Sequence, residues 1–110
     1  MEFTGNLSFH EATLVGVKNT GQTIGILLEG VHLGPEVRNA SVWCTGVRQI
    51  IRDGVPVDSF NMESDDGEII ALERTRESLR LIVEWNDFEH HRRRTRSYVI
   101  VCDSASVEMT

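Results

Sequence analysis

The sequence predicts an all-β domain: a mostly antiparallel sandwich or open barrel of six to eight strands, with room for one short helix. The dominant apolar period is two rather than 3.6, which is the period of a strand. Turn signals recur at intervals of roughly ten residues, the spacing expected of short strands joined by loops. No long segment has the apolar pattern of an amphipathic helix.

The first two strands are predicted to form a hairpin. Residues 14–18 are followed by Asn19-Thr20-Gly21-Gln22, and Asn and Gly tolerate the positive φ of a tight turn. Residues 22–31 then resume the alternation. We therefore expect these two strands to pair antiparallel.

The middle of the chain is less regular. Segment 32–36 contains Gly34 and Pro35, which end the second strand, and residues 38–45 resume the alternation. Residues 46–53 fit either a strand or one helical turn. We favour a strand or irregular extension, because this piece is too short for a stable helix.

The second half of the chain predicts strands separated by polar segments. Residues 55–67 have the composition of a long loop or weak edge strand, and residues 86–96 that of a polar connection. Strands are predicted at 68–74, 78–85, 97–103 and, resuming near the end, 106–109. The alternation is clearest in the second of these, at Leu79, Leu81, Val83 and Trp85.

Length and composition indicate one ordinary globular domain spanning 1–110. The formal net charge is −6, from 11 basic and 17 acidic residues, which disfavours nucleic acid as a partner. No apolar run approaches the roughly 20 residues of a membrane-spanning helix. The first residues lack the basic start and apolar stretch of a secretory signal, so we expect a cytoplasmic protein. Cys44 and Cys102 are expected to be reduced and to pack as small buried hydrophobes.

One candidate binding surface is an acidic tract. Its members are Asp58, Glu63, Asp65, Asp66 and Glu68, with no basic residue between Asp53 and Arg74. Asn61, Glu63 and Asp65 alternate as the first ligands of an EF-hand calcium loop do, but the register then fails at Asp66 and Leu72. The alternatives are a solvated acidic loop and a surface that binds a basic partner.

A basic tract follows at residues 90–96, with the sequence His-His-Arg-Arg-Arg-Thr-Arg. The planar guanidinium fork of arginine suits phosphate and carboxylate groups. The tract has no aromatic residue on which a base could stack. We interpret it as a solvated hairpin loop, with an acidic partner, the chain's own acidic loop or nucleic acid as the alternatives.

His10 and Glu11 form a third candidate, a polar or acid–base site near the start of the first strand. Adjacent residues on a strand point to opposite faces, so we expect His10 to bond to nearby backbone rather than to Glu11. Position 14 is Leu, so the HExxH zinc motif is not present. The sequence has no phosphate-binding glycine loop and no nucleophile elbow. We therefore predict no catalytic residue, metal or cofactor, although a site assembled across strands stays open.

Three stretches resemble the immunity protein 50 family and related small bacterial families. They are 9–14 (Phe-His-Glu-Ala-Thr-Leu), 42–47 (Val-Trp-Cys-Thr-Gly-Val) and 79–83 with the C-terminal strand. The family pattern begins His-Asp-Ala-x-Leu, so Glu11 stands where Asp is usual. The middle stretch matches the family only at Gly46-Val47.

The resemblance implies a binding role, in which the protein neutralises a toxin by docking on it. Our leading hypothesis is thus a small interaction protein with a protein-binding surface. The alternatives are a small-molecule-binding β-barrel, an enzyme with a site assembled across strands, and a homo-oligomer paired through edge strands.

Overall fold

The computed structural model describes residues 7–87 and 89–110, and within these ranges regular structure is entirely β. The all-β prediction is confirmed, and the described residues contain no helix. Ten strands are present rather than the predicted six to eight: β1 (Leu7–Ser8), β2 (Thr13–Thr20), β3 (Thr23–Leu33), β4 (Glu36–Thr45), β5 (Gln49–Arg52), β6 (Val55–Val57), β7 (Gly67–Arg74), β8 (Ser78–Asp87), β9 (Arg92–Val101) and β10 (Ser104–Met109).

The extra strands are short pieces defined by backbone pairing rather than by side-chain pattern. β1 pairs with the end of β3, and β6 pairs with β5 across the turn at Asp53-Gly54.

The polar connection predicted at 86–96 is shorter in the structure, because β8 continues to Asp87 and β9 begins at Arg92. Arginines on an exposed strand end satisfy their backbone in the ladder, so polarity alone does not make a loop.

Every strand pair is antiparallel, as predicted, and the order in the sheet is β10-β4-β3-β2-β7-β8-β9-β5-β6, with β1 beside β3. The predicted first hairpin is confirmed: Thr20 lies opposite Thr23, and Gly21 has a φ of 59°. A residue with a side chain is strained in this left-handed region, so the turn depends on glycine.

The sheet folds over at the junction of β2 and β7, which are joined by only two Cα pairs. We call β10-β4-β3-β2 the first half-sheet and β7-β8-β9-β5-β6 the second. The connection between β4 and β5, which leads from the first half-sheet to the second, is bonded to the first hairpin, since the amide of Val47 donates to the Gln22 carbonyl at 2.9 Å. The smallest extent of the molecule, 21 Å, fits two layers spaced about 10 Å apart.

One apolar core fills the space between the half-sheets. The buried apolar residues are Phe9, Ala12, Leu14, Ile24, Ile26, Leu28, Val31, Ala40, Val42, Cys44, Ile50, Phe60, Ile69, Leu79, Leu81, Val83, Trp85, Tyr98, Ile100, Cys102 and Val107. Cys44 and Cys102 are free and buried, as predicted. Burial, reinforced by Cys102, raises the pKa of the Cys44 thiol to about 12, so Cys44 is a packing residue rather than a nucleophile.

No helix among residues 7–87 and 89–110 is long and apolar enough to cross a membrane.

Candidate functional site

The acidic tract is divided by the fold between different surroundings. Asp58 is exposed and lies beside the Gly21 turn and β5. Glu63 turns inward, with only 18% of its side chain exposed. Asp65 is exposed, whereas Asp66 and Glu68 line a shallow concavity on another face. The tract therefore does not act as one surface.

Glu63 sits at the centre of a hydrogen-bonded network. Its Oε2 accepts a bond from the Tyr98 hydroxyl at 2.8 Å, and the same hydroxyl oxygen accepts from the buried indole N–H of Trp85 at 2.8 Å. Arg96 Nε donates to both carboxylate oxygens, at 3.1 and 3.2 Å. Burial, followed by the bond to Glu63, raises the pKa of Tyr98 above its ordinary value. Glu63 is thus a structural residue, neutralised within the chain.

Asp53 extends this network to the β5–β6 turn. Its carboxylate accepts from Arg96 Nη1 at 2.7 Å and from the Ser97 amide at 2.8 Å. These two bonds hold the pKa of Asp53 below its usual value, the Ser97 amide contributing most. Asp53 itself has a φ of 51°, in the left-handed region that Asp tolerates better than most residues. We refer to Trp85, Tyr98, Glu63, Arg96 and Asp53 together as the inner network.

The inner network holds residues 59–66, a segment without regular structure, against the core. Phe60 in this segment is fully buried, and its ring centroid lies 4.5 Å from that of Tyr98. Asn19 fixes the same residue from the other side, because its side-chain amide donates to the Phe60 carbonyl at 2.8 Å and accepts from the Phe60 amide at 3.3 Å. In the segment predicted as a long loop or weak edge strand, residues 55–57 form the edge strand β6, and residues 59–66, which we call the cover segment, are irregular but anchored to the core.

The outer face of the sheet carries a row of carboxylates that sequence patterns did not bring together. Cα partners run across five strands in the order Glu29, Thr13, Glu68, Glu84 and Thr95. Directly opposite residues on antiparallel strands share a face, so these side chains are neighbours. We call Glu29, Glu68 and Glu84 the carboxylate row.

Glu68 and Glu84 form the centre of this row and lie directly opposite one another. Like charges in this arrangement are destabilising. Glu84 is approached by Arg93 at 3.7 Å, while Glu68 has no ion pair among the described residues. The row therefore keeps uncompensated negative charge.

A shallow concavity of about 350 Å³ adjoins the row. Glu11 and Asp66 add two more carboxylates to its lining, and Arg93 is the cation that lines it. The concavity therefore brings Asp66 and Glu68 of the predicted acidic tract together with Glu11 of the predicted polar site. Glu84 was not singled out from the sequence, because it is one of the residues that alternate with buried apolar ones on β8. Only the register with β7 places it beside Glu68.

His10 and Glu11 lie in the turn before β2 rather than on a strand. His10 Nδ1 is 2.9 Å from the Ile70 carbonyl, so the expected bond to backbone is present. Glu11 has a φ of 66°, and its carboxylate approaches His10 Nε2 to 3.8 Å. The argument from strand alternation therefore does not apply here, although both side chains are well exposed to solvent.

The basic tract lies partly on β9, where its arginines alternate between faces. Arg92, Arg94 and Arg96 share the inner face with Tyr98, while Arg93 faces outward beside Glu84. The interpretation as a loop is wrong for residues 92–96, which begin β9, although residues 92–95 are exposed to solvent. The alternative of pairing with the chain's own acidic segment is present at Arg96 and Glu63.

A groove of about 280 Å³ opens beside the inner network at the end of the β8–β9 hairpin. Its lining residues, which define the arginine groove, are Glu63, Ser64, Trp85, Asp87, Arg92, Arg93 and Arg94. Asp87 accepts a bond from His90 Nδ1 at 2.9 Å and from the His90 amide at 3.2 Å. These bonds, led by the one from the His90 ring, lower the pKa of Asp87.

Within residues 7–87 and 89–110, no group of His, Cys, Asp or Glu has an arrangement that would hold a metal ion.

No family model and no curated protein matches the chain. Among solved structures, it is similar to the crystal structure of an uncharacterized protein from Neisseria gonorrhoeae, with 13% sequence identity, a TM-score of 0.47, and coverage of 93% of this chain and 94% of that chain.

Proposed function

We propose that this chain is a small binding protein that docks a basic protein partner on its carboxylate row. The observation that carries the proposal is the pair Glu68 and Glu84, directly opposite on neighbouring strands. Such a pair lowers the stability of the free sheet by roughly 0.2–1 kcal/mol, and a cationic partner removes that repulsion on binding.

The surroundings of the pair favour the same role. Glu29, Glu11 and Asp66 extend the negative charge around it, and the net charge of the chain is −6. A surface of one sign raises the rate at which an oppositely charged protein associates and orients its approach. Lysine or arginine side chains of the partner would meet the carboxylates.

The kind of partner follows from the sequence resemblance and is part of the same proposal. An immunity-like protein binds a co-encoded toxin in the cytoplasm and needs no catalytic group of its own. A basic nuclease toxin is the partner class that suits an acidic surface.

The small-molecule alternative has less support. It requires a deep apolar pocket, whereas five cavities among the described residues are open grooves lined largely by charged and polar side chains. The apolar interior is occupied by core side chains.

The test is capture of the partner from the source cell on the immobilised chain, its identification, and measurement of its affinity. We expect a basic protein whose binding weakens at least tenfold for the double variant Glu68→Gln/Glu84→Gln and weakens with rising salt. Glu73→Gln/Glu77→Gln removes the same number of exposed charges outside the row and is the matched control.

Equal affinity for both double variants would overturn the assignment of the surface. The toxin assignment is tested separately, by coexpression with toxin-like genes encoded beside this one. Unchanged toxicity in the presence of the chain would contradict it while leaving the docking surface intact.

A further inference from the structure

The arginine groove lies on the inner side of β9, whereas the carboxylate row lies on the outer face, so the groove is a second site with the opposite charge. Four of the chain's ten arginines fall within residues 92–96. Three of them, Arg92, Arg93 and Arg94, line the groove. This concentration of positive charge occurs in a chain whose net charge is −6.

The groove contains two carboxylates, those of Glu63 and Asp87, and both accept hydrogen bonds from residues other than Arg92 and Arg94. Glu63 accepts two bonds from Arg96 and one from Tyr98. Asp87 accepts two bonds from His90. Arg94 and Arg92 add only interactions without hydrogen bonds, at 3.7 Å from Glu63 and through the lowered pKa of Asp87.

The two inner-face arginines retain their donors. Arg94 approaches Glu63 only to 3.7 Å, which is too long for a hydrogen bond. The Arg92 side chain lies opposite Asp87, whose pKa its charge helps to lower, but it has no hydrogen bond or ion pair with any residue in 7–87 or 89–110. Each guanidinium carries five N–H donors in a planar fork, so several donors are available along one wall of the groove.

The spacing of these arginines selects the class of ligand. They stand two residues apart on one face of β9, so their Cα atoms are separated by roughly 7 Å and both side chains can reach one bound group. A carboxylate is matched by a single guanidinium fork. A phosphate group presents three terminal oxygens and two negative charges, which suits two forks at once.

We propose that the arginine groove binds a small ligand that carries a phosphate group, held by the guanidinium groups of Arg92 and Arg94. Trp85, the cross-strand partner of Arg94, and Glu63 also line the groove, and the inner network fixes both side chains. The side chains held by the inner network and the unbonded guanidinium N–H groups of Arg92 and Arg94 together form a preorganised site for a small anion.

The experiment is a titration followed by amide chemical shifts in NMR, with inorganic phosphate and glycerol 3-phosphate as probes and acetate, which has a single carboxylate, as the comparison. We expect both phosphate probes to shift amides in β8 and β9 around the groove, and acetate to bind at least tenfold more weakly. The double variant Arg92→Gln/Arg94→Gln should weaken phosphate binding about tenfold or more, because it removes charge-assisted hydrogen bonds.

Arg80→Gln is the matched control, since Arg80 is an exposed arginine on the outer face of β8. It should leave phosphate binding unchanged. The single variant Arg92→Gln removes a side chain that has no hydrogen bond or ion pair among the described residues, so it tests the site even if the double variant fails to fold.

Three results would overturn the proposal: no shifts in the groove at tens of millimolar phosphate, equal binding of acetate, or equal weakening by Arg80→Gln. Arg93 lines both sites and approaches Glu84, but Arg92 and Arg94 have no ion pair with Glu68 or Glu84, so the Glu68→Gln/Glu84→Gln variant should still bind phosphate. Failure of the phosphate site and failure of the protein-docking surface are therefore distinguishable.

Discussion

Strands β8 and β9 carry charged residues on both faces, and the two faces compensate that charge in opposite ways. On the inner face, Glu63 is bonded to Arg96 and Tyr98. On the outer face, Glu68 lies opposite Glu84, and the single nearby cation, among the described residues, is 3.7 Å from Glu84. Glu63 is compensated by bonds within the chain, whereas Glu68 has no ion pair among the described residues.

The difference shows that composition does not decide what an acidic tract does. Glu63 and Glu68 are five positions apart in one tract, yet the first stabilises the cover segment and the second repels its cross-strand neighbour. Removal of a charge should therefore have opposite effects on stability on the two faces. Each variant below tests one side of that contrast.

The largest expected effect is on the inner face, at Phe60. Phe60→Ala removes a fully buried ring that contacts Tyr98 and should lower the free energy of unfolding by about 3–5 kcal/mol. Urea denaturation measures the loss. Val55→Ala, at an exposed valine on β6, is the control and should change stability by less than about 0.5 kcal/mol. A loss below about 1 kcal/mol for Phe60→Ala would mean that residues 59–66 are not anchored to the core.

The second effect is on the hydroxyl of Tyr98. Tyr98→Phe leaves the buried indole N–H of Trp85 without its acceptor, and removes one donor from Glu63. We expect a loss of about 1–3 kcal/mol, as for other buried groups left unpaired. Glu63→Gln in the same background should lose less than it does alone, because the two residues belong to one network.

The pH dependence of Tyr98→Phe provides an independent check. The pKa of Tyr98 is raised in the folded state, so its contribution is fully present below the unfolded value of about 10 and falls as the pH rises above it. Urea midpoints between pH 9 and 11 should therefore decline more steeply for the natural chain than for Tyr98→Phe. Identical slopes would contradict the burial of the hydroxyl.

The third effect is on the outer face and has the opposite sign. Glu68→Gln removes the repulsion from Glu84 and should raise the free energy of unfolding by about 0.2–1 kcal/mol at low salt. The same two strands contain the matched control, since Glu73 lies opposite Arg80. Glu73→Gln should lower stability by a similar amount, and high salt should reduce both changes. Two changes of the same sign would mean that the cross-strand charges do not interact.

The elements of the fold were predictable wherever one face of a strand is buried. Alternation at residues 78–85 and 22–31 identified β8 and β3, because each buries every second side chain in one core. It did not identify β1 or β6, which are two and three residues long and owe their existence to backbone pairing with β3 and β5. Such pairing leaves no period in the sequence.

The candidate sites were predictable as compositions but not as arrangements. Glu63 and Arg96 are separated by more than thirty positions and meet only because residues 59–66 pack across β9. Glu68 and Glu84 become opposite only through the register of β7 and β8, which includes a shift between Ile69 and Ala71. A one-residue difference in register would place a strand's side chains on the other face, so sequence patterns alone did not give the carboxylate row.

The smallest expected effect on stability is at Asp53, the exposed end of the inner network. Asp53→Asn keeps a residue that tolerates positive φ and an oxygen that can accept from the Ser97 amide, but removes the charge opposite Arg96. Since the ion pair is partly exposed, the loss should stay below about 1 kcal/mol near neutral pH. The pKa of Asp53 is lowered in the folded state, so its contribution is present above the ordinary value of 3.8 and disappears as the pH falls through the folded value.

Acid denaturation therefore separates the role of the Asp53 charge from that of the turn. The natural chain should lose stability more steeply than Asp53→Asn below about pH 4, and the two profiles should converge at lower pH as Asp53 becomes neutral. Asp103→Asn is the control, because Asp103 also pairs with an arginine, at 2.6 Å from Arg48, but lies outside the inner network. If Asp53→Asn instead lost stability equally at every pH, the carboxylate would act through turn geometry, and the inner network would end at Arg96.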